Sequence, residues 1–228
     1  MYKEFARIYD ILMKNFPYED YQNIIEKLLP PRGKILEIGC GTGKMTHYFF
    51  HRGAEVHALD TSPNMLSFAK RNLPGVNFYL GTLEEMDMGG FDQIFACVDV
   101  VNYYLSEEEL RLFFASVKRH MKGEFLFDLR HPSAMERDLA NQTFFYEEEL
   151  GDLLWINERE GDILFQEIIL YWKENNAYIK SSEEHAQKIW APEMVERLIV
   201  EAGLLVKEKI ENPERIYYLC GLTEAEPG

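Results

Sequence analysis

Between residues 34 and 128 the chain alternates short apolar runs with amphipathic ones, and that alternation restricts its architecture more than any other feature. Runs that read as strands fall at 34–38, 54–59, 76–80, 92–98 and 123–128, and helical spacing falls between them at 43–51, 63–72 and 106–121. Strands joined through helices run parallel, since only a crossover carries the chain back to the same end of a sheet. A parallel sheet is covered on both faces, and the continuous apolar run Ile94-Phe95-Ala96-Cys97-Val98 suits that environment. Upstream, Phe5, Ile8, Tyr9, Leu12, Met13 and Phe16 keep helical spacing until Pro17, and residues 18–29 predict a second helix closed by Pro30-Pro31.

The texture changes after about residue 140. The stretch "TFFYEEELGDLLWINEREGDILFQEIILYWKENNAYIKSSEEHAQKIW" is aromatic, partly alternating, and broken by Glu160-Gly161-Asp162 and Asn175-Asn176, which predicts an antiparallel meander of three or four strands. A helix opened by Pro192 and ended near Gly203 follows, then strands near 204–210 and 215–220. The organisation predicted is one α/β domain from 1–140 and 186–228, with an antiparallel insertion at 141–185. So small an insertion cannot bury a core of its own, and should pack on the main domain.

Charge and composition remove several classes of function. The formal net charge is −15, no Lys/Arg cluster occurs, and two acidic triplets stand at 107–109 and 147–149. Such a chain lacks the basic surface that nucleic acids and anionic membranes require. No apolar stretch nears the roughly 18 residues that span a bilayer, and the N-terminal residues lack the apolar core of a signal peptide. Cys40, Cys97 and Cys220 form neither a disulfide framework nor zinc-like spacing, so no metal site is predicted and the compartment expected is the reducing cytoplasm.

The first predicted strand runs straight into glycines: "KILEIGCGTGKMTHYFF". A glycine turn between a strand and a helix receives a nucleotide-like ligand. A phosphate-binding P-loop fails here, because Ile38 stands where its first glycine belongs and Met45 where its hydroxyl belongs. A dinucleotide fingerprint fails by one residue, because Gly43 comes too early. What remains is Glu37 followed by Gly39, Gly41 and Gly43, with Asp60 at the end of the second strand, where a carboxylate can accept from both hydroxyls of a ribose.

That pattern, E-x-G-x-G-x-G with "AEVHALDTSPNML" downstream, resembles the first motifs of class I S-adenosylmethionine-dependent methyltransferases, over roughly residues 1–140 and 186–221. The resemblance implies a Rossmann-like, mostly parallel seven-stranded α/β sheet with helices on both faces and an antiparallel β insertion after strand five. It implies S-adenosyl-L-methionine as cofactor, contacted by Gly39, Cys40, Gly41, Gly43, Asp60, Thr61, Met65, Cys97 and Val98. It puts Glu37 near the methionyl ammonium and Thr82 and Leu83 beside adenine, though the usual acidic residue is missing at Gly81-Thr82. It makes residues 1–30 a helical cover, with the Tyr9 ring over the cofactor, and 141–185 a lid on the acceptor side.

Methyl transfer needs an aligned nucleophile and, for some acceptors, a base. The side chains expected beyond the carboxyl ends of strands four and five are Asp99, Asn102, Tyr103, Asp128, Arg130 and His131. Asp99 and His131 are the candidate catalytic groups, and Asn102, Tyr103 and Arg130 the candidate acceptor contacts. Val98-Asp99-Val100-Val101-Asn102-Tyr103 lacks the (D/N)-P-P-(Y/F) motif of nucleic-acid amino methyltransferases, so the acceptor expected is a small molecule, methylated at nitrogen or oxygen. His47, His51 and His120 read as helix-surface groups, His57 as a core or face residue, and His185 is unassigned. A dinucleotide-dependent oxidoreductase and a non-catalytic binding protein of the same fold stand as alternatives.

Overall fold

The computed structural model describes residue 13 and residues 16–148, 151–175 and 177–223. Tyr9 and most of the predicted first helix lie outside these described residues. The chain runs α1 (Tyr18–Leu28), β1 (Lys34–Ile38), α2 (Lys44–His51), β2 (Glu55–Asp60), α3 (Pro63–Asn72), β3 (Asn77–Leu80), β4 (Phe91–Ala96), α4 (Glu107–His120) and β5 (Met121–Arg130). Then come β6 (Thr143–Glu148), β7 (Gly151–Glu160), β8 (Ile163–Glu174), β9 (Ala177–Lys188), α5 (Pro192–Glu201), β10 (Leu204–Glu211) and β11 (Arg215–Leu222).

The main sheet has seven strands in the order β10–β11–β5–β4–β1–β2–β3. β1 to β5 pair in parallel, and β11 lies antiparallel between β5 and β10. The strand order reverses between β1 and β4, which opens a crevice at their carboxyl ends. Side chains alternate across the sheet. Ile35 and Phe95 pack with Ile25 of α1 and Phe49 of α2, whereas Leu36 and Ile94 pack with Phe113 of α4 and Leu198 of α5.

Local chemistry sets the helix ends. Ser106 caps α4 in a reciprocal box with Glu109, so the acidic triplet at 107–109 sits at the positive end of the helix dipole. Lys118, Arg119 and His120 occupy the opposite end. His120 is not a surface group, as its spacing suggested. It is 1% exposed, because the last turn of α4 rolls inward and Nδ1 lies 2.8 Å from the Ser116 carbonyl. β5 starts at once, so the helix stops at His120 rather than at 121.

The insertion is a four-stranded antiparallel sheet, β6–β7–β8–β9, and β9 continues past residue 185 to Lys188. Its inner face brings Leu153, Ile168 and Leu170 against Met65 of α3. Two bonds pin its exit to the loop after β4: Asn102 Nδ2 donates to the Lys188 carbonyl at 2.9 Å, and Trp190 Nε1 donates to the Tyr104 carbonyl at 3.0 Å. Asn102 Oδ1 also accepts from the Arg130 amide at 3.0 Å. One fully buried amide therefore ties the β4 loop to both the end of β5 and the end of β9.

Asn102→Ala leaves a buried amide and a buried carbonyl without partners, at roughly 1–3 kcal/mol each. The variant should lose about 3 kcal/mol of stability in urea denaturation, and about 6–12 °C of melting temperature. A loss below about 0.5 kcal/mol would mean that water or a neighbour replaces the side chain.

Candidate active site

The glycine turn is fastened to the neighbouring strand before it can meet a ligand. The Gly39 and Cys40 amides both donate to the Leu59 carbonyl, at 2.9 and 3.0 Å. Gly39 has φ +69°, and a Cβ there would sit 2.5 Å from Val100 Cγ2. Gly41 has φ +54° and no atom within 4 Å of where a Cβ would be, and it borders open space. Its amide donates to Asp60 Oδ2 at 2.7 Å, while Asp60 Oδ1 accepts from the Ser62 amide at 2.8 Å. Asp60 therefore braces the turn and still presents its carboxylate to the cavity. Burial pushes its carboxyl up, against the backbone amides that favour the charge. The helix cap is a separate residue: Ser62 Oγ accepts from the Met65 amide at 3.4 Å.

A second cluster builds the turn after β4. Val98 and Asp99 both have positive φ, 64° and 68°. For a β-branched residue that is a genuine outlier, costing about 1–3 kcal/mol. Asp128, at the end of β5, is wholly buried and holds the turn in place. Its Oδ1 accepts from the Val98 amide at 2.6 Å and from the Tyr21 hydroxyl at 2.5 Å, and its Oδ2 from the Asp99 amide at 3.4 Å. Arg215 of β11 pairs with both Asp128 and Asp99, and Arg130 Nη1 stands 3.7 Å from Asp99 Oδ2. Burial disfavours the Asp99 charge, but Arg215 and Arg130 outweigh it and hold this carboxyl below its usual range. Burial, aided by the Asp99 charge, pushes Asp128 up against the pull of Arg215.

One cavity of about 520 Å3 joins the two clusters, within the roughly 300–1,000 Å3 usual for small-molecule sites. Gly39, Gly41, Asp60, Thr61, Met65, Thr82, Leu83 and Val98 line one part of it. Asp99, Tyr103 and Arg130 line another. Among the described residues, the remaining predicted ones do not reach its wall. Glu37 and Cys97 are buried, Cys40 is buried beside the turn, and Gly43 caps α2. Asn102 is an internal clamp rather than a wall residue. His131 is the cap of the turn Pro132–Ala134: Nδ1 accepts from the Ser133 amide, and Nε2 lies 3.2 Å from Glu211.

Other wall residues had no signal strong enough to single them out. Met13 and Phe16 close one side, and Arg215 comes from the last strand. Tyr146, Trp155, Gln166, Glu183, His185 and Gln187 come from the insertion. Glu183, His185 and Gln187 alternate along β9 and so share one face, with Gln166 directly opposite His185 in β8. His185 Nε2 stands 3.5 Å from Glu183 Oε2.

A family model described as a methyltransferase domain matches residues 35–124. YqeM of Bacillus subtilis (strain 168), which carries a provisional methyltransferase name, is 29% identical over 212 residues, covering 89% of this chain and 86% of that protein. The crystal structure of an S-adenosylmethionine-dependent methyltransferase from Clostridium acetobutylicum superposes with a TM-score of 0.84 at 27% identity, over 97% of this chain and 98% of that one. CalS10 of Micromonospora echinaspora, an amino pentose methyltransferase solved with S-adenosylmethionine bound, has a TM-score of 0.70 at 21% identity, over 90% and 89%.

Beneath the glycine turn, Glu37 is 2% exposed and accepts from Thr46 Oγ1 at 2.5 Å. Burial raises its carboxyl from 4.5 to about 8, with the Thr46 bond pulling the other way. Between those values the folded chain holds a proton that the unfolded chain has lost. That contribution is fully present below pH 4.5 and disappears as pH rises to about 8. Urea denaturation of the ligand-free protein should therefore show stability falling from pH 5 to pH 8.5, and Glu37→Gln should flatten that fall. Identical pH profiles for the two proteins would remove Glu37 from this role.

Proposed function

The chain belongs to the class I S-adenosylmethionine-dependent methyltransferases, and on that premise we propose that it methylates nitrogen on a small amine held between the strand ends and the β6–β9 sheet. The observation that carries this reading is a cavity bounded by the glycine turn on one side and by the insertion on the other, where Gln166, Glu183, His185 and Gln187 stand beside Trp155 and Ile168. Glu183 contributes a carboxylate to that wall, which can attract an acceptor arriving as an ammonium ion and take the proton that must leave before the neutral amine attacks the methyl group. Among the fold neighbours, CalS10 acts on an amino pentose.

On this reading Gly39 and Gly41 let backbone approach the cofactor closely, and Asp60 accepts from the ribose hydroxyls. Thr82 and Leu83 flank the adenine, and Met65 packs against the nucleoside. Bound S-adenosylmethionine supplies a methyl group on a sulfonium, whose leaving group is a neutral thioether. The protein aligns the amine in line with that methyl and excludes water. Asp99 is paired with Arg215 and Arg130, and that ion-paired group makes the wall near the reacting end rigid. Tyr103 and Arg130 orient the acceptor beside it. His131, capped and off the cavity wall, takes no part.

S-Adenosylhomocysteine should raise the melting temperature and NADH should not; a hundredfold excess over Kd stabilises by about 2.7 kcal/mol. Asp60→Ala should weaken S-adenosylhomocysteine binding at least about tenfold with the fold intact, since bonds to a charged group contribute roughly 1.5–3 kcal/mol. Unchanged binding would confine Asp60 to bracing the turn. The acceptor is tested by release of S-adenosylhomocysteine with 3-amino-3-deoxyglucose and related amino sugars, against the corresponding hydroxyl sugars. Turnover of the hydroxyl sugars alone would sink the nitrogen assignment.

A further inference from the structure

Arg215 does more than neutralise carboxylates. Its guanidinium carbon lies 5.1 Å from the centroid of the Phe16 ring and 5.8 Å from that of Tyr21. The same group pairs with Asp99 and Asp128, which build the left-handed turn after β4. Phe16, Asp99 and Arg215 all line the cavity, together with Met13. Phe16 also packs on Tyr18 and Tyr21, with ring centroids 4.6 and 5.8 Å away. Thus one planar cation, 8% exposed, is held between Phe16, just before α1, and the acidic turn after β4.

The chemistry of the contact is specific. A guanidinium is flat and weakly hydrated, so it can lie on a ring and donate to carboxylates at its edge at the same time. A lysine ammonium is a compact, strongly hydrated charge and satisfies the carboxylates alone. Attraction between a cation and a ring grows as water is excluded, which burial here ensures.

We propose that Arg215 is a positioning residue for the cofactor: it clamps Phe16, and with it the chain leading into α1, onto the Val98–Asp99 turn, so that release of bound cofactor requires the Phe16–guanidinium contact to open. The inference rests on the cofactor occupying this cavity. It adds a residue far along the chain that sets how long the cofactor stays, without itself touching the methyl group.

The probe is S-adenosylhomocysteine with the full chain, and Trp155 in the cavity wall reports its departure by fluorescence in a stopped-flow chase. Arg215→Lys keeps the charge between the carboxylates and removes the stacking. Phe16→Leu removes the ring and touches neither carboxylate. Each should raise the dissociation rate at least about tenfold, with association within about threefold of the wild type. Because both break one contact, the double variant should dissociate no more than about threefold faster than either single one. Hydrogen exchange over residues 16–21 should slow on binding in the wild type and much less in Arg215→Lys. Unchanged dissociation in Phe16→Leu, or single effects that multiply in the double variant, would overturn the clamp. Should Arg215→Lys prove unstable without ligand, Phe16→Leu and its exchange profile decide the matter alone. Failure of the cofactor placement is told apart in the wild type: if S-adenosylhomocysteine binds yet changes neither Trp155 fluorescence nor hydrogen exchange over residues 39–43, the cavity is not where the cofactor sits.

Discussion

The buried carboxylate of Asp128 is the interaction on which the reacting end of the molecule depends. It accepts from Tyr21 of α1, from the amides of Val98 and Asp99, and from Arg215 of β11. Those groups lie up to 107 positions from Asp128 in the chain, so a single carboxylate brings α1, the β4 loop and β11 into register. Buried ion pairs are poor sources of net stability, because desolvation consumes most of the attraction; losing one partner is nevertheless costly, at about 3–5 kcal/mol. The gain is geometric. Two residues that would otherwise avoid positive φ are held there, and Val98 and Asp99 face the cavity as a result.

The other half of the cavity follows the same logic in a lighter form. Asp60 spends one lone pair on Gly41 and one on Ser62, and retains acceptor capacity toward the open side. The carboxylate that bears on a ligand is thus also the one that shapes the glycine turn. A substitution there acts on the ligand and on the turn together, which is why fold integrity has to be read alongside affinity.

Much of the parallel sheet was legible because alternation, glycine turns and capping residues are local signals. Strand spans deduced from apolar runs at 34–38 and 204–210 agree closely with Lys34–Ile38 and Leu204–Glu211. Asp60 was legible because its distance from the glycines is set by one crossover. Arg215 was not: it stands before the apolar run Ile216-Tyr217-Tyr218-Leu219, and its partners are 87 and 116 positions away. Glu183, His185 and Gln187 were half legible. A period of two shows that they share a face, but not which face turns inward, since that depends on the sheet's docking against Met65. His131 drew notice because histidine titrates in a useful range, yet the following proline marks it as a helix cap. His120 misled for the opposite reason, since a helix end that looks polar can still roll under its neighbours.

The position of β11 has a consequence for how the molecule is assembled. This strand follows β6 to β10 in the chain, yet it slots between β5 and β10 and carries Arg215 to the cavity wall. A chain emerging from the ribosome can pair β1 to β5 through nearby crossovers, and so can form the glycine turn and Asp60 early. It cannot balance Asp99 and Asp128 with Arg215 until β11 arrives. Until then Asp128 can hold the turn through the Val98 and Asp99 amides, but both carboxylates lack the guanidinium that pairs with them. The ligand pocket is therefore assembled in two instalments, from segments that lie far apart in the chain.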